Sequence, residues 1–248
     1  MRTKPLSTRN IIPHLAAIAV IAACAWLAHW QVERAGEKRE IMERWNDRAP
    51  VRLAELAQPY SLPQPVTGVG IWDASRQILI DNRIRDQRTG VHVLTPFRTP
   101  EGRLFLVNRG WAGWPARSAQ LPDPGVSGWS PADSEGDRDV EIQGVLNTPP
   151  GTGIRLGEAD IAGDEGWPLL VTYFDHGELA RLFGDTLQPA VIQLDTEHPA
   201  HLTGDPWKVV TFGPDRHIGY AMTWTSIAVV VAAIWLALTI RQVRRRHH

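Results

Sequence analysis

The sequence predicts a membrane protein: two transmembrane α-helices flanking a mainly β, barrel- or sandwich-like extracytoplasmic domain. Three observations predict it. Ile218 to Ile240 is a run of 23 residues without a formal charge; Ile11 to Trp30 is a second run of 20, interrupted only by Pro13, His14 and His29. Between them lie eight short stretches rich in Val, Ile and aromatic residues. At about 1.5 Å rise per residue, either apolar run crosses a hydrocarbon core about 30 Å thick.

The elements follow in chain order. Residues 1–10 carry Arg2, Lys4 and Arg9 and no acid, and read as a short cytoplasmic tail. Residues 11–30 are the first span. "IAAC" before Cys24 and Ala23-Cys24-Ala25 resemble processing sites, but the apolar run continues through Trp26, Leu27 and Trp30. It exceeds the ~7–15 residues of a signal peptide's apolar region, so an uncleaved span is the expectation. "QVERAGEKREIMERW" is rich in helix formers and reads as a helical extension over 31–48.

The β domain is expected over 49–216. Its strands are "PVTGVGIW", "QILIDN", "VHVLTPFRT", "RLFLVNRGW", "DVEIQGVLN", "PLLVTYF", "PAVIQLD" and "WKVVTF", punctuated by Gly, Pro, Asp and Asn. Pro100-Glu101-Gly102 in "FRTPEGRLF" predicts a hairpin turn. Residues 115–137, dense in Pro, Gly, Ser and Asp, read as a long exposed loop. One helix is expected in the domain: Asp175 caps "HGELARLFG", in which Leu179, Leu182 and Phe183 share a face and Gly184 stops the helix. The second span covers 217–240, and 241–248, with Arg241, Arg244, Arg245 and Arg246, is a basic cytoplasmic tail.

All 27 acidic residues lie between the two tails, beside 19 of the 26 basic ones. Two basic anchors thus enclose an acidic domain, which gives no support to nucleic-acid binding. The orientation rule keeps both termini in the cytoplasm, and the absence of a transit segment favours a bacterial inner membrane with a periplasmic central domain. Cys24 is the one cysteine, which excludes an intrachain disulfide, a thiolate zinc cluster and a Cys-pair copper site.

Catalytic signatures do not emerge. There is no Gly-x-Ser-x-Gly elbow, no His-Glu-x-x-His and no phosphate loop. Gly68 and Gly70 in "TGVG", and Gly151 and Gly153 in "PPGTGIRLG", read as turn glycines. "DTEHPAH" gathers Asp195, Glu197, His198 and His201, but Pro199 prevents a helix from aligning the histidines, so a solvated loop is expected rather than a metal site. Arg83, Arg85, Arg109 and Asn108 have the chemistry to hold an anion, with pairing to the many Asp and Glu residues as the plainer use.

The most informative pattern opens the second span. His217, Tyr220, Ala221 and Trp224 fall at i, i+3, i+4 and i+7 and share one helix face. A neutral imidazole is an axial ligand for haem iron, and a large apolar macrocycle is accommodated against a membrane helix. The alternative is an imidazole that reaches for the headgroups as the Trp and Tyr of an interfacial belt do. His29 lies at the same outer face on the first span, and antiparallel helices set it across from His217 as a second imidazole. His14, at the cytoplasmic end, reads as an interface residue.

"HWQVERAGEK", "VHVLTPF" with "GRLFLVNRGW", and "HIGYAMTW", in that order, resemble the surfeit locus protein 1 family of assembly factors for haem–copper terminal oxidases. The resemblance covers nearly the whole chain, both spans included. It implies a non-enzymatic role in cytochrome c oxidase assembly, with haem a bound and delivered to the catalytic subunit. It places His217 as the iron ligand with Tyr220 and Trp224 as companions. Trp30, Gln31 and Arg34 match the motif leaving the first span, and Asn108, Arg109, Gly110 and Trp111 match the domain box. His29 occupies a variable position of that motif. Thr223 stands where a glutamine is expected and Gly219 where serine is common. The expected partners are the oxidase catalytic subunit, haem a synthase and the lipid bilayer. A scaffold that holds oxidase subunits without binding haem is the alternative, and a membrane-tethered enzyme is the third reading.

Overall fold

A computed structural model describes residues 8–114, 121–126, 139–150, 166–184 and 186–246. Most of the expected loop 115–137, the tail residues 1–7 and 247–248, and Gly151 and Gly153 lie outside the described residues. The chain divides into two compact units: Met1–Asp47 with Lys208–His248, and Arg48–Trp207. The β unit therefore ends at Trp207, short of the expected 216.

The first unit is a pair of long helices. Helix α1 runs Thr8–Asn46 and helix α3 runs Pro214–Arg246. The 39 residues of α1 extend about 58 Å, so the expected span and its extension are one helix that outreaches a bilayer core. Both are long and apolar enough to cross a membrane. Their less exposed positions alternate by three and four: His14, Ala17, Ile21, Cys24, Ala28, Gln31 and Ala35 on α1, and His217, Ala221, Trp224, Ala228, Val231 and Trp235 on α3. That is the spacing of a coiled-coil seam.

Small residues dominate the seam, which lets two backbones approach closely where lipid offers no hydrophobic drive for association. Ala35 is fully buried, and Cys24 and Ala221 nearly so. Hydrogen bonds join the helices at two places, Gln31 to His217 and His14 to Trp235, and so fix an antiparallel register. The span's own hydroxyls are satisfied locally, with Thr225 Oγ1 donating to the Ala221 carbonyl at 2.8 Å and Ser226 Oγ to that of Met222 at 2.8 Å.

The second unit is built on eight strands: β1 (Val51–Arg52), β2 (Gln64–Trp72), β3 (Ile78–Arg85), β4 (Arg88–Arg98), β5 (Leu104–Gly113), β6 (Val140–Asn147), β7 (Leu169–Val171) and β8 (Leu187–Leu194). The sheet order is β1-β2-β6-β8-β5-β4-β3-β7, and β2 also pairs with β4. That extra pairing closes β2, β6, β8, β5 and β4 into a small barrel. Strand β2 serves both neighbours in turn, pairing with β6 from Gln64 to Gly70 and then with β4 at Ile71 and Trp72.

Gly70 sits at the change of partner. A Cβ there would lie 2.3 Å from the Arg98 carbonyl oxygen, and one at Gly68 would lie 2.4 Å from the Leu53 side chain. The two glycines of "TGVG" are therefore strand residues chosen for close approach rather than turn glycines.

One core fills the barrel, with Trp72, Phe97, Phe105, Val107, Ile142 and Ile192 among its members. A second lies on the other face under helix α2 (His176–Phe183), with Ile80, Leu104, Leu106, Phe174, Leu179 and Phe183. Strand β5 feeds both: Phe105 and Val107 point one way, Leu104 and Leu106 the other, which is why "LFLV" is continuously apolar.

The helix and hairpin predicted from the sequence are present. Asp175 Oδ1 accepts from the Glu178 amide at 3.0 Å, and Gly184 ends α2 at φ 81°. Between β4 and β5, the Gly102 amide donates to the Thr99 carbonyl at 2.9 Å with Gly102 at φ 82°. "WKVVTF" is not a strand; Trp207–Phe212 is irregular. Among the described residues no strand pairs with it, and β-propensity alone does not make a ladder.

Candidate functional site

Helix α3 starts at Pro214, whose missing amide hydrogen costs nothing at a helix start, and Asp215 favours the positive end of the helix dipole. This puts His217 in the first turn, half-buried. Its Nδ1 lies 2.8 Å from Gln31 Oε1. A carbonyl oxygen can only accept, so Nδ1 carries the hydrogen and, in the neutral ring, the lone pair lies on Nε2. An imidazole held in this way by an acceptor on its far nitrogen has its tautomer, its orientation and its ligand basicity set.

Of the companions on α3, Ala221 is buried in the seam and Trp224 is half-buried along it. Tyr220 stands at the border, 56 % exposed, with Met222 beside it at 67 %. Arg216 precedes His217, with its guanidinium 4.9 Å from the centre of the Phe212 ring. The face inferred from the sequence thus exists, half seam and half outward surface.

His29 is placed differently from the expectation. It lies two residues before Gln31, about 200° around the helix, and its Nε2 pairs with Glu33 Oε1 at 3.3 Å. The side chain across from His217 is the amide of Gln31, not the imidazole of His29. A signal for this existed: Gln31 is the one long uncharged polar side chain in the seam of α1, at heptad spacing from Cys24. His14 does lie at the helix interface, accepting at Nδ1 from Trp235 Nε1 at 2.7 Å.

The "VNRGW" box has a structural role. Arg109 is buried; its Nε donates to the Ala200 carbonyl at 2.8 Å and its Nη1 to Gln77 Oε1 at 3.1 Å. Burial lowers its pKa to about 10, so it remains a cation at neutral pH. Its direct partners are a carbonyl, an amide and the Thr95 hydroxyl, not the carboxylates expected from the composition. The Leu202 amide donates to the Arg109 carbonyl and the Trp111 amide to that of Thr203, both at 2.6 Å. Gly110 between them has φ 111°, and a Cβ there would meet the Thr203 carbonyl oxygen at 2.7 Å. The box therefore clamps segment 200–203 onto the barrel.

Around that clamp is a cleft of about 290 Å³ lined in part by Arg85, His92, Trp111, His201, Asp205 and Trp207. Burial pushes the pKa of His92 down to about 4, with the nearby Arg83 cation adding to the effect, and burial also lowers that of His201. Asp205 is held by the two terminal nitrogens of Arg85 at 3.0 and 3.3 Å. "DTEHPAH" folds as a turn with internal bonds, Asp195 Oδ1 accepting from the Glu197 amide at 2.9 Å and His198 Nδ1 from the Ala200 amide at 3.0 Å, and is tied to β6 by the Asp195 amide donating to the Gln143 carbonyl at 2.9 Å. Among the described residues no group of three or more His, Cys, Asp or Glu side chains is placed to hold a metal ion.

A family model described as the SURF1 family matches residues 18–229, from within α1 through the β unit into α3. The match includes Gln31, the "VNRGW" box and His217 through Trp224. No curated protein matches the chain. A match over residues 18–229, most of the chain, identifies the chain as a member of the SURF1 family, the cytochrome oxidase assembly factors.

Proposed function

We propose that this chain binds haem a at the Gln31–His217 end of its helix pair and delivers it to the catalytic subunit of a haem–copper terminal oxidase. The observation that carries the reading is the 2.8 Å contact from His217 Nδ1 to Gln31 Oε1, which directs the free lone pair of the imidazole to Nε2. The residues fit this cargo. His217 supplies a nitrogen ligand, Tyr220 and Trp224 supply apolar and aromatic surface, and Arg216 supplies a guanidinium next in sequence for a propionate carboxylate.

A single nitrogen ligand suits a carrier, because the cargo must leave. A replaceable imidazole can give way to a ligand on the acceptor subunit, as a covalent thioether could not. His29, turned toward Glu33, is not needed as a second protein ligand in this arrangement. Haem a synthase is the natural donor and the oxidase catalytic subunit the acceptor. The basic flanks at residues 2–9 and 241–246 support a bacterial inner-membrane location with both termini cytoplasmic and the β unit periplasmic.

The test is the visible spectrum of the full-length protein purified in detergent from cells that make haem a, compared with His217→Ala. Soret and α bands in the wild type that are lost or shifted in the variant support a carrier ligated through His217. Equal haem in both removes His217 as the ligand. Colourless protein in both, with haem a verified in the same membranes, favours a scaffold that holds oxidase subunits without cargo.

A further inference from the structure

A groove of about 350 Å³ lies between α1 and α3 at the end away from His217. Its walls are apolar, with Ala17, Val231, Ile234 and Leu238, and its polar end carries His14 and Gln242. From Val231 to Gln242 the groove follows α3 for about 16 Å, the reach of most of a fatty acyl chain. Trp235 Nε1 is a donor only, so its 2.7 Å bond to His14 Nδ1 leaves the imidazole hydrogen on Nε2.

The wall of the groove continues into charge. Ile234, Leu238, Arg241 and Arg245 follow one another at spacings of four, three and four, so both arginines continue the helical stripe of Ile234 and Leu238 beyond the residues that line the groove. Both are exposed, as is Arg244, which falls off that stripe. Neither end of the chain supplies an acid to neutralise them: residues 1–32 and 216–248 contain neither Asp nor Glu. The negative end of α3 amounts to about half a charge and cannot balance them. An apolar slot followed on the same helical stripe by two exposed arginines is complementary to one kind of membrane component.

We infer that this groove is a binding site for an anionic phospholipid, with one acyl chain along Val231, Ile234 and Leu238 and the phosphate at Arg241 and Arg245. A neutral lipid leaves the arginines unmatched. A partner helix would need a contact face along the whole span, whereas this groove is confined to the arginine end. Basic pockets between membrane helices are known to take such headgroups. The inference is independent of haem binding.

Native mass spectrometry of the full-length protein from mild detergent tests it, using equimolar phosphatidylglycerol and phosphatidylcholine with identical chains. The wild type is expected to retain phosphatidylglycerol preferentially. Each guanidinium near an anionic headgroup contributes about fivefold, so R241Q/R245Q should lower retention roughly thirtyfold. R244Q, off the stripe, should change it little. Leu238→Trp should fill the groove and abolish the discrete adduct with all arginines intact. Equal retention of both lipids overturns the site, as does an adduct unchanged in Leu238→Trp or an R244Q loss equal to that of either stripe arginine. Circular dichroism of each variant verifies that the helices are formed.

Discussion

Gln31 faces His217 across the helix seam at 2.8 Å, and 17 residues earlier on α1 His14 faces Trp235 at 2.7 Å. The two polar contacts are therefore about 26 Å apart along the helices, close to the thickness of a hydrocarbon core. The seam between them is made mostly of alanine and other uncharged side chains. Each end of the pair is thus clasped by a side-chain hydrogen bond, one of which leaves an imidazole lone pair free.

Gln31→Leu should keep the helix pair and weaken the hold on haem. Loss of a hydrogen-bond partner behind a ligating imidazole typically costs 10- to 100-fold in affinity. Titration of haem into the detergent-solubilised variant, followed at the Soret band, should show that loss, with His217→Ala losing more. Unchanged affinity in Gln31→Leu would detach the amide from the ligand role.

The His14–Trp235 clasp should contribute modestly to helix association. A double-mutant cycle with His14→Leu and Trp235→Phe is expected to give a coupling of about 0.6 kcal/mol, no greater than about 1.7. Thermal unfolding of the four proteins in one detergent measures it.

Arg109→Ala should be among the most damaging single changes in the β unit. It deletes a buried cation, leaves the Ala200 carbonyl without its side-chain donor and removes one partner each from Gln77 and Thr95, which still bond each other. The expected loss is about 1–3 kcal/mol for the unsatisfied carbonyl, with Arg109→Lys falling short of rescue because an ammonium cannot reproduce the fork. Proteolysis of the full-length protein, with cuts mapped to the 200–205 segment, reports it.

Acid should destabilise the β unit through His92. Its folded pKa, about 4, lies below the ordinary value of 6.5 because burial disfavours the charged ring. The unfolded chain therefore takes up a proton between those values that the folded chain refuses. The contribution is intact above pH 6.5 and falls progressively toward pH 4, by about 3 kcal/mol in all. Denaturant midpoints from pH 7 to 4 should show this slope, reduced in His92→Gln; parallel profiles would assign the acid sensitivity to other groups.

Local features were legible in the sequence. A 23-residue uncharged run, Asp175 before "HGELARLFG" and Pro100-Glu101-Gly102 each carry their structural cause within a few residues. Long-range features were not. Closure of the barrel depends on β2 changing partners at Gly70, and nothing near "TGVG" names Arg98 as the neighbour that excludes a side chain. "WKVVTF" has strand composition but depends on an adjacent strand for a ladder, and among the described residues none pairs with it. At the site, His29 drew attention by chemistry, whereas helical phase selected Gln31. Two residues of offset turn a side chain to the opposite side of a helix.

The antiparallel register also has an electrical consequence. By joining His14 to Trp235 it brings the start of α1, with Arg9, to the same end as Arg241, Arg244, Arg245 and Arg246 of α3. Turning the pair over in an energised membrane would carry these five charges through the whole potential. At about 2.3 kcal/mol per charge for each 100 mV, that is work of about 12 kcal/mol. The arginines act as ballast: with their end on the electrically negative side, the membrane voltage opposes inversion of the hairpin.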